Sequence, residues 1–353
     1  MASCVELAHA YGYIDDLELN LLDYTPSKNP VFPYWKYKHI DWDEITEDEC
    51  NADFRFQKAD MDRIKEALRL PDDISIANRK VVPGKEALAI LCRKFAYPCR
   101  YSDMIPRFGR SVPDLSLICS YMTEYLDRNY GHLLVTMQQD WLSPINLERM
   151  AVAIHAKGAP LTNCWGFPDG TVRPICRPEE DQGLVYNGHK RTHALKYQAI
   201  STPSGVIAHL FGPIEATRHD CYLLNKSGLL DQLERFSRNT KGEPMCIYGD
   251  KGYPNREFFQ APFKGRLTEE QDEYNTRMSR CRVGVEWSFK EITSYFKFID
   301  FKKNQKLGLQ AVGLQYRACA LLQNMRTCLY GSQSSEFFDF PPPALEEYLV
   351  EAQ

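Results

Sequence analysis

From Gly84 onward the apolar positions fall at helical spacing. In GKEALAILCRKFAY, Ala87, Leu88, Leu91 and Phe95 share one stripe, which predicts a helix. CRYSDMIPRFG predicts a short second helix cut off near Pro106. SVPDLSLICSYMTEYLDRNYG predicts a third, with Ser111 as N-cap, Pro113 in the first turn and Asp114 at the capping-box position. A further capped helix runs from Ser143-Pro144 to Lys157. Upstream, the chain is acidic and punctuated by proline, with room for one amphipathic helix over 59–69, ended by Pro71. Near residue 160 the rhythm turns to strands. NCWGF is apolar and β-prone, and the strand it predicts ends on Asp169 in an Asp-Gly turn. ALKYQAIST and GVIAHLFGP flank the turn signal PSG and read as a hairpin. ATRHDCYLLNKSGLLDQLERFS predicts one amphipathic helix from about Thr217. EPMCIYGDKGYP is a buried strand that again stops on an aspartate turn. YNTRMSRCRVGVEWSFKEITSYFKF is a helix with Glu286 in its middle, and a last helix spans roughly 306–330.

This order of strands and helices is that of an α/β fold, an RNase H-like mixed sheet flanked by helices. It follows a small all-α region whose three helices and tight middle turn resemble a helix-turn-helix. The third helix is nearly free of Lys and Arg, and the nearby cations, Arg93, Lys94, Arg100, Arg107 and Arg110, lie in the earlier turns. A plain helical bundle fits that pattern equally well. Four segments result: an acidic accessory arm (1–78), the helical region (79–158), the sheet domain (160–330) and an acidic tail (331–353).

Composition narrows the class. The 12 cysteines of the 353 residues are scattered singly, which argues against a zinc ribbon or a disulfide framework. No apolar run approaches the roughly 18 residues of a membrane span, and the N-terminus lacks a signal-peptide pattern. A soluble intracellular protein with no membrane association is expected. The net charge of −4 conceals a segregation: residues 79–330 carry a net of +10, between an arm of −9 and a tail of −5. A basic body between acidic ends suits a polyanion ligand.

Asp169 and Asp250 both follow apolar strands and both precede a glycine, in DGT and DKG. Sites in α/β sheets gather at the carboxyl ends of strands. Glu286 lies between Val285 and Trp287, an apolar setting where a glutamate needs a partner or a cation, Arg282 and Lys290 being one turn away on either side. Three converging carboxylates would supply hard oxygen ligands for Mg²⁺ or Mn²⁺. Two such ions about 4 Å apart activate the attacking oxygen and stabilise the leaving oxygen of a phosphodiester. A haloacid-dehalogenase reading of DGT fails, because the nucleophile's position two residues earlier is Phe167. Asp220 is a further acid, but Thr217 and Asp220 form a T-x-x-D pattern that a capping box explains better. His219 beside it could orient a phosphate or simply pack.

GFPDGTVRPICRP, YNGHKRTHALKYQ, GPIEATRHD, YGDKGYP and RVGVEWSFKEI, in that order, resemble the PIF/Harbinger-type DDE transposases and their host-derived relatives, over about 160–325. The resemblance implies a DDE triad of Asp169, Asp250 and Glu286 that binds metal on an RNase H-like fold, and a nuclease that cuts and joins DNA. It also implies a nuclear location and a Myb-like partner that assists DNA binding. Paired DNA ends would favour a homodimer. Lys190, Arg191, Lys196, Lys251, Arg280, Arg282 and Lys290 lie around the acids in the sequence and suit a phosphate backbone. The chain departs from the pattern at Pro168, where relatives more usually carry a β-branched residue. A proline in a central strand deletes a ladder donor. The alternative function is therefore a catalytically inactive, transposase-derived DNA-binding or scaffold protein.

Overall fold

The computed structural model describes residues 9–13, 15, 32–77 and 80–350, and for Val285 the backbone only. Much of the acidic arm before residue 32, and residues 351–353, lie outside these. Two helices, α1 (Glu47–Phe54) and α2 (Lys58–Ala67), precede a hairpin of β1 (Asp73–Ile76) and β2 (Lys80–Pro83) that the sequence pattern did not suggest. Then come α3 (Gly84–Ala96), the single-turn α4 (Ile105–Phe108), α5 (Val112–Tyr130) and α6 (Pro144–Ala156). The stripe of Ala87, Leu88, Leu91 and Phe95 is buried as its spacing predicts. Pro106 starts α4 instead of ending a helix, since proline's missing N–H costs nothing in a first turn. The Ser111 side chain caps α5, accepting from the Asp114 N–H at 3.3 Å.

Charge in this region is largely paired within the chain. Arg110 makes two bonds of 2.6 and 2.7 Å to the Glu86 carboxylate, and both side chains are buried. Arg107 lies 3.0 Å from Asp53 and 3.6 Å from Glu49, and Arg93 lies 3.7 Å from Asp53. Lys94 is buried, donating to the Cys99 carbonyl under the rings of Tyr101 and Phe298. Four of the five cations that could have faced DNA in a helix-turn-helix are thus engaged internally, two of them by the acidic arm.

The main sheet has six strands: β3 (Cys164–Pro174), β4 (Tyr186–Asn187), β5 (Thr192–Ser201), β6 (Ile207–Glu215), β7 (Cys246–Tyr248) and β8 (Phe259–Gln260). Its path is β4-β5-β3-β7-β8, with β6 also on β5. β5 pairs antiparallel with β3 and β6, whereas β3–β7 and β7–β8 are parallel. The sheet is mixed and flanked by helices. A short α7 (Gln182–Val185) precedes β4. α8 (Asp220–Lys226) and α9 (Leu229–Phe236) replace the single helix expected there, because Gly228 at φ 65° breaks it. α10 (Glu269–Tyr295) and α11 (Val312–Tyr330) follow β8.

The first expectation to be corrected concerns β3. It does not end at Asp169; it runs on to Pro174, with Asp169 opposite Ala199 and Gly170 opposite Gln198. Asp-Gly is here mid-strand, not a turn. Pro168 is accommodated where pairing is one-sided, since the ladder to β7 closes at Gly166. The acidic C-terminal segment also folds onto the body, as α12 (Gln333–Phe338) and α13 (Leu345–Tyr348), burying Phe338, Leu345 and Tyr348. Arg63 of α2 bonds both carboxylate oxygens of Glu346 in α13, joining the two acidic ends. One apolar cluster runs from Ile45 to Leu349, and a second, around Phe167, Tyr248, Met278 and Phe338, packs against the start of β3.

Two measurements test this packing. Gly205, in the β5–β6 turn at φ 83°, would place a Cβ 1.9 Å from Ser332 Oγ. Gly205→Ala should therefore lower stability by at least about 1–2 kcal/mol, read from urea unfolding. His209 on β6 is buried with no partner for Nδ1 among the described residues, and burial pushes its pKa down to about 4. The unfolded chain takes up a proton below pH 6.5 that the folded one refuses until about pH 4, so stability falls with acidification across that window. His209→Leu should remove up to about 2 kcal/mol of that loss between pH 6.5 and 5; an unchanged pH dependence would contradict it.

Candidate active site

Asp169 sits mid-strand on β3, and Asp250 two residues beyond the end of β7, the parallel neighbour. The two are brought together. Asp220, at the first turn of α8, joins them: both Asp220 and Asp250 act on the Asp169 carboxyl, raising its pKa. Burial is the larger cause, and Arg282 opposes it. The Asp169 carboxyl ends at about 6.

Gly170 explains how Asp220 comes so close. A Cβ there would lie 2.3 Å from Asp220 Oδ1, so only glycine leaves room for this carboxylate against the strand. Asp220 Oδ2 also lies near Gly252, whose N–H donates to Asp250 Oδ1 at 2.8 Å. The cap predicted from Thr217 and Asp220 is not made. The N-cap of α8 is His219, without a side-chain cap bond, and the Thr217 hydroxyl donates to the Leu184 carbonyl. Asp220 instead has Lys196 Nζ 3.0 Å from its Oδ1, and the same ammonium donates to the Arg218 carbonyl. Below the acids, Gln198 donates to the hydroxyl of buried Tyr253 at 2.7 Å.

Arg282, from α10, donates from Nη2 to Asp169 Oδ1 at 2.6 Å. Its Nε is buried without an acceptor among the described residues, so the Asp169 contact is the main compensation for a guanidinium taken out of water. Glu286, one turn further along α10, is exposed. The apolar setting predicted for it is not found, since its own side chain faces solvent. Arg282, not Glu286, meets the first aspartate. Among the described residues no three His, Cys, Asp or Glu side chains are arranged to hold a metal ion together.

The basic residues divide. Lys196 and Arg282 serve the acids directly, while Lys190, Arg191, Lys251, Arg280 and Arg282's neighbour on the helix, Lys290, are exposed. Lys190 and Arg191 occupy the β4–β5 turn, where the Asn187 side chain accepts from the Lys190 N–H. Sequence reasoning weighed Asp220 as a further acid but preferred a capping role for it, and it missed Arg282 as the partner of Asp169. The glycine after Asp169 was the signal for Asp220; no local pattern signals the Arg282 contact, which spans 113 positions.

The site carries a testable electrostatic signature. The folded carboxyl of Asp169 binds a proton more tightly than the ordinary value of 3.8, so stability is lost as pH rises from about 4 to 6. Without metal at pH 7.5, Asp169→Asn should be more stable than the natural chain by about 1–2 kcal/mol, part of the gain being lost with the Arg282 pair. The difference should vanish near pH 4. Thermal melts in EDTA at the two pH values measure it, and a destabilised variant at pH 7.5 would refute it.

A stretch of 126 residues, 33% of the chain, is 29% identical to the probable transposase for insertion sequence element IS702 of Microchaete diplosiphon. The aligned part covers 42% of that protein, so the chain spans well under half of its relative's length. No solved structure matches. Residues 168–324, the stretch that holds Asp169, Asp220, Asp250 and Glu286, match the model of the DDE superfamily endonucleases.

Proposed function

We propose that this chain is a divalent-cation-dependent DNA endonuclease of transposase type, with Asp169, Asp250 and Glu286 as its DDE triad and a subtype close to PIF/Harbinger. The observation that carries the reading is the half-buried Asp169 held beside Asp250 and Asp220 within the matched stretch. Strand order supports an RNase H-like core: the path β6-β5-β3 is antiparallel and β3-β7-β8 parallel, with the first aspartate on the central strand and the second after its parallel neighbour.

The donor set fits a hard cation in its chemistry. Carboxylate oxygens that repel one another beside a strand are what Mg²⁺ or Mn²⁺ binds. Asp169 and Asp250 would hold the ion or ions, and Glu286 joins them in this reading through its D-35-E spacing, 35 residues separating it from Asp250. When bound, the metal lowers the pKa of a coordinated water and neutralises charge on the phosphate. The chain's own residues do the rest. Arg282 keeps Asp169 ionised near neutral pH and fixes its direction. Lys196 restrains Asp220. Lys190, Arg191, Lys251, Arg280 and Lys290 would hold phosphates, adding affinity that falls with salt. DNA is the expected partner, in the nucleus; a Myb-like helper and a homodimer belong to the same reading.

The test is nicking of supercoiled plasmid with Mg²⁺, Mn²⁺ or EDTA. Asp169→Asn, Asp250→Asn and Glu286→Gln should each lose at least about 100-fold in rate, as expected when a catalytic group is removed or displaced. Nicking that survives in Asp169→Asn would move catalysis elsewhere. Nicking that survives only in Glu286→Gln would remove Glu286 from the triad and leave the two aspartates.

A further inference from the structure

A ridge of exposed rings stands beside the acidic group. Tyr186 on β4 is 42% exposed and Tyr222 on α8 is 37% exposed. Their elements are tied together: the Asn187 side chain donates to the Ala216 carbonyl at 2.8 Å, and the Thr217 hydroxyl to the Leu184 carbonyl at 3.2 Å. Tyr186 meets the His193 ring edge-on at 5.2 Å, and the Arg218 guanidinium lies 4.9 Å from the Tyr222 ring. Exposed Lys190 and Arg191 follow Tyr186 in the β4–β5 turn, Arg218 lies against Tyr222, and exposed Lys226 is one turn beyond Tyr222 on α8, with Glu215 the acid that pairs loosely with Arg218, at 3.6 Å. The ridge also connects to the acids, because Lys196 bridges the Arg218 carbonyl and Asp220, and Tyr222 is two residues beyond Asp220.

Neither ring is needed for the core, since both keep more than a third of their surface in water. Apolar faces interleaved with cations and placed beside a phosphodiester site fit a strand whose bases are free to stack. A paired duplex offers its phosphates to the cations, but its bases are already stacked on one another and have no faces to give. We propose that Tyr186 and Tyr222 stack unpaired bases of a single-stranded segment next to the scissile phosphate, with Lys190, Arg191, Arg218 and Lys226 on its backbone. The inference rests on the DNA-cleaving reading for its biological setting, but it concerns binding, which is measurable without catalysis.

The experiment is fluorescence anisotropy of the full chain in EDTA, with a labelled oligothymidine and a duplex of equal length, over a salt series. The natural chain should bind the single strand. Tyr222→Ala and Tyr186→Ala should each weaken that binding about 5- to 100-fold, leave duplex binding within twofold, and keep the natural melting temperature. Tyr222→Phe should retain single-strand binding, because stacking needs the ring and not the hydroxyl. Arg218→Gln should reduce the salt slope. If the alanine variants bind the single strand as the natural chain does, or lose both DNAs equally, the stacking role is overturned. Plasmid nicking by these same variants keeps the two readings apart: a chain that binds as expected but never nicks refutes the nuclease alone, and one that nicks yet binds the single strand without the tyrosines refutes the ridge alone.

Discussion

The constraint around which the site is arranged is the half-buried carboxyl of Asp169. Asp169, Asp220 and Asp250 converge on one end of the sheet, where burial, and to a smaller degree the other two carboxylates, make ionisation of Asp169 costly. Two cations from distant elements offset part of that cost. Arg282 arrives from a helix of 27 residues to meet Asp169, and Lys196 reaches along β5 to Asp220. Helix α10 must therefore lie against β3 in one register, and α8 must approach Gly170 closely.

The segregation of charge along the chain has a second meaning once the fold is visible. The acidic arm supplies Glu49 and Asp53 to Arg107, and Asp53 to Arg93, while Arg63 reaches across to Glu346. Much of the basic excess of the helical region is thus absorbed by the ends. The exposed cations that remain near the acids gather on the β4–β5 turn and α10. What looked in the sequence like a basic body is a helical region whose cations are largely paired, next to a sheet domain that keeps exposed cations on the β4–β5 turn and α10.

Periodicity made the helices legible: the α3 stripe, the Ser111 cap of α5 and the β5–β6 hairpin fall where apolar spacing and turn chemistry put them. The place of Asp250 just past an apolar strand was also readable, because an apolar run next to a carboxylate is a local feature. Three things were not. Asp-Gly has the same composition in a turn as in a strand, and only the pairing with Gln198 decides between them. Asp220 satisfies a local capping pattern, so nothing nearby revealed its longer-range approach to Gly170. Burial of Glu286 was inferred from its sequence neighbours, yet on a helix the neighbours in sequence point elsewhere, and it is exposed.

The packing of Phe338 against Phe167, with rings stacked 6.1 Å apart, sets an order of events during synthesis. Phe167 is two positions from Asp169, whereas Phe338 leaves the ribosome about 170 residues later. At about 5–20 residues per second, the strand that bears the first acid waits roughly 8–35 s for the ring that backs it. Throughout that interval the start of β3 offers bare apolar surface. The start of β3 is backed by that ring only once synthesis has passed Phe338.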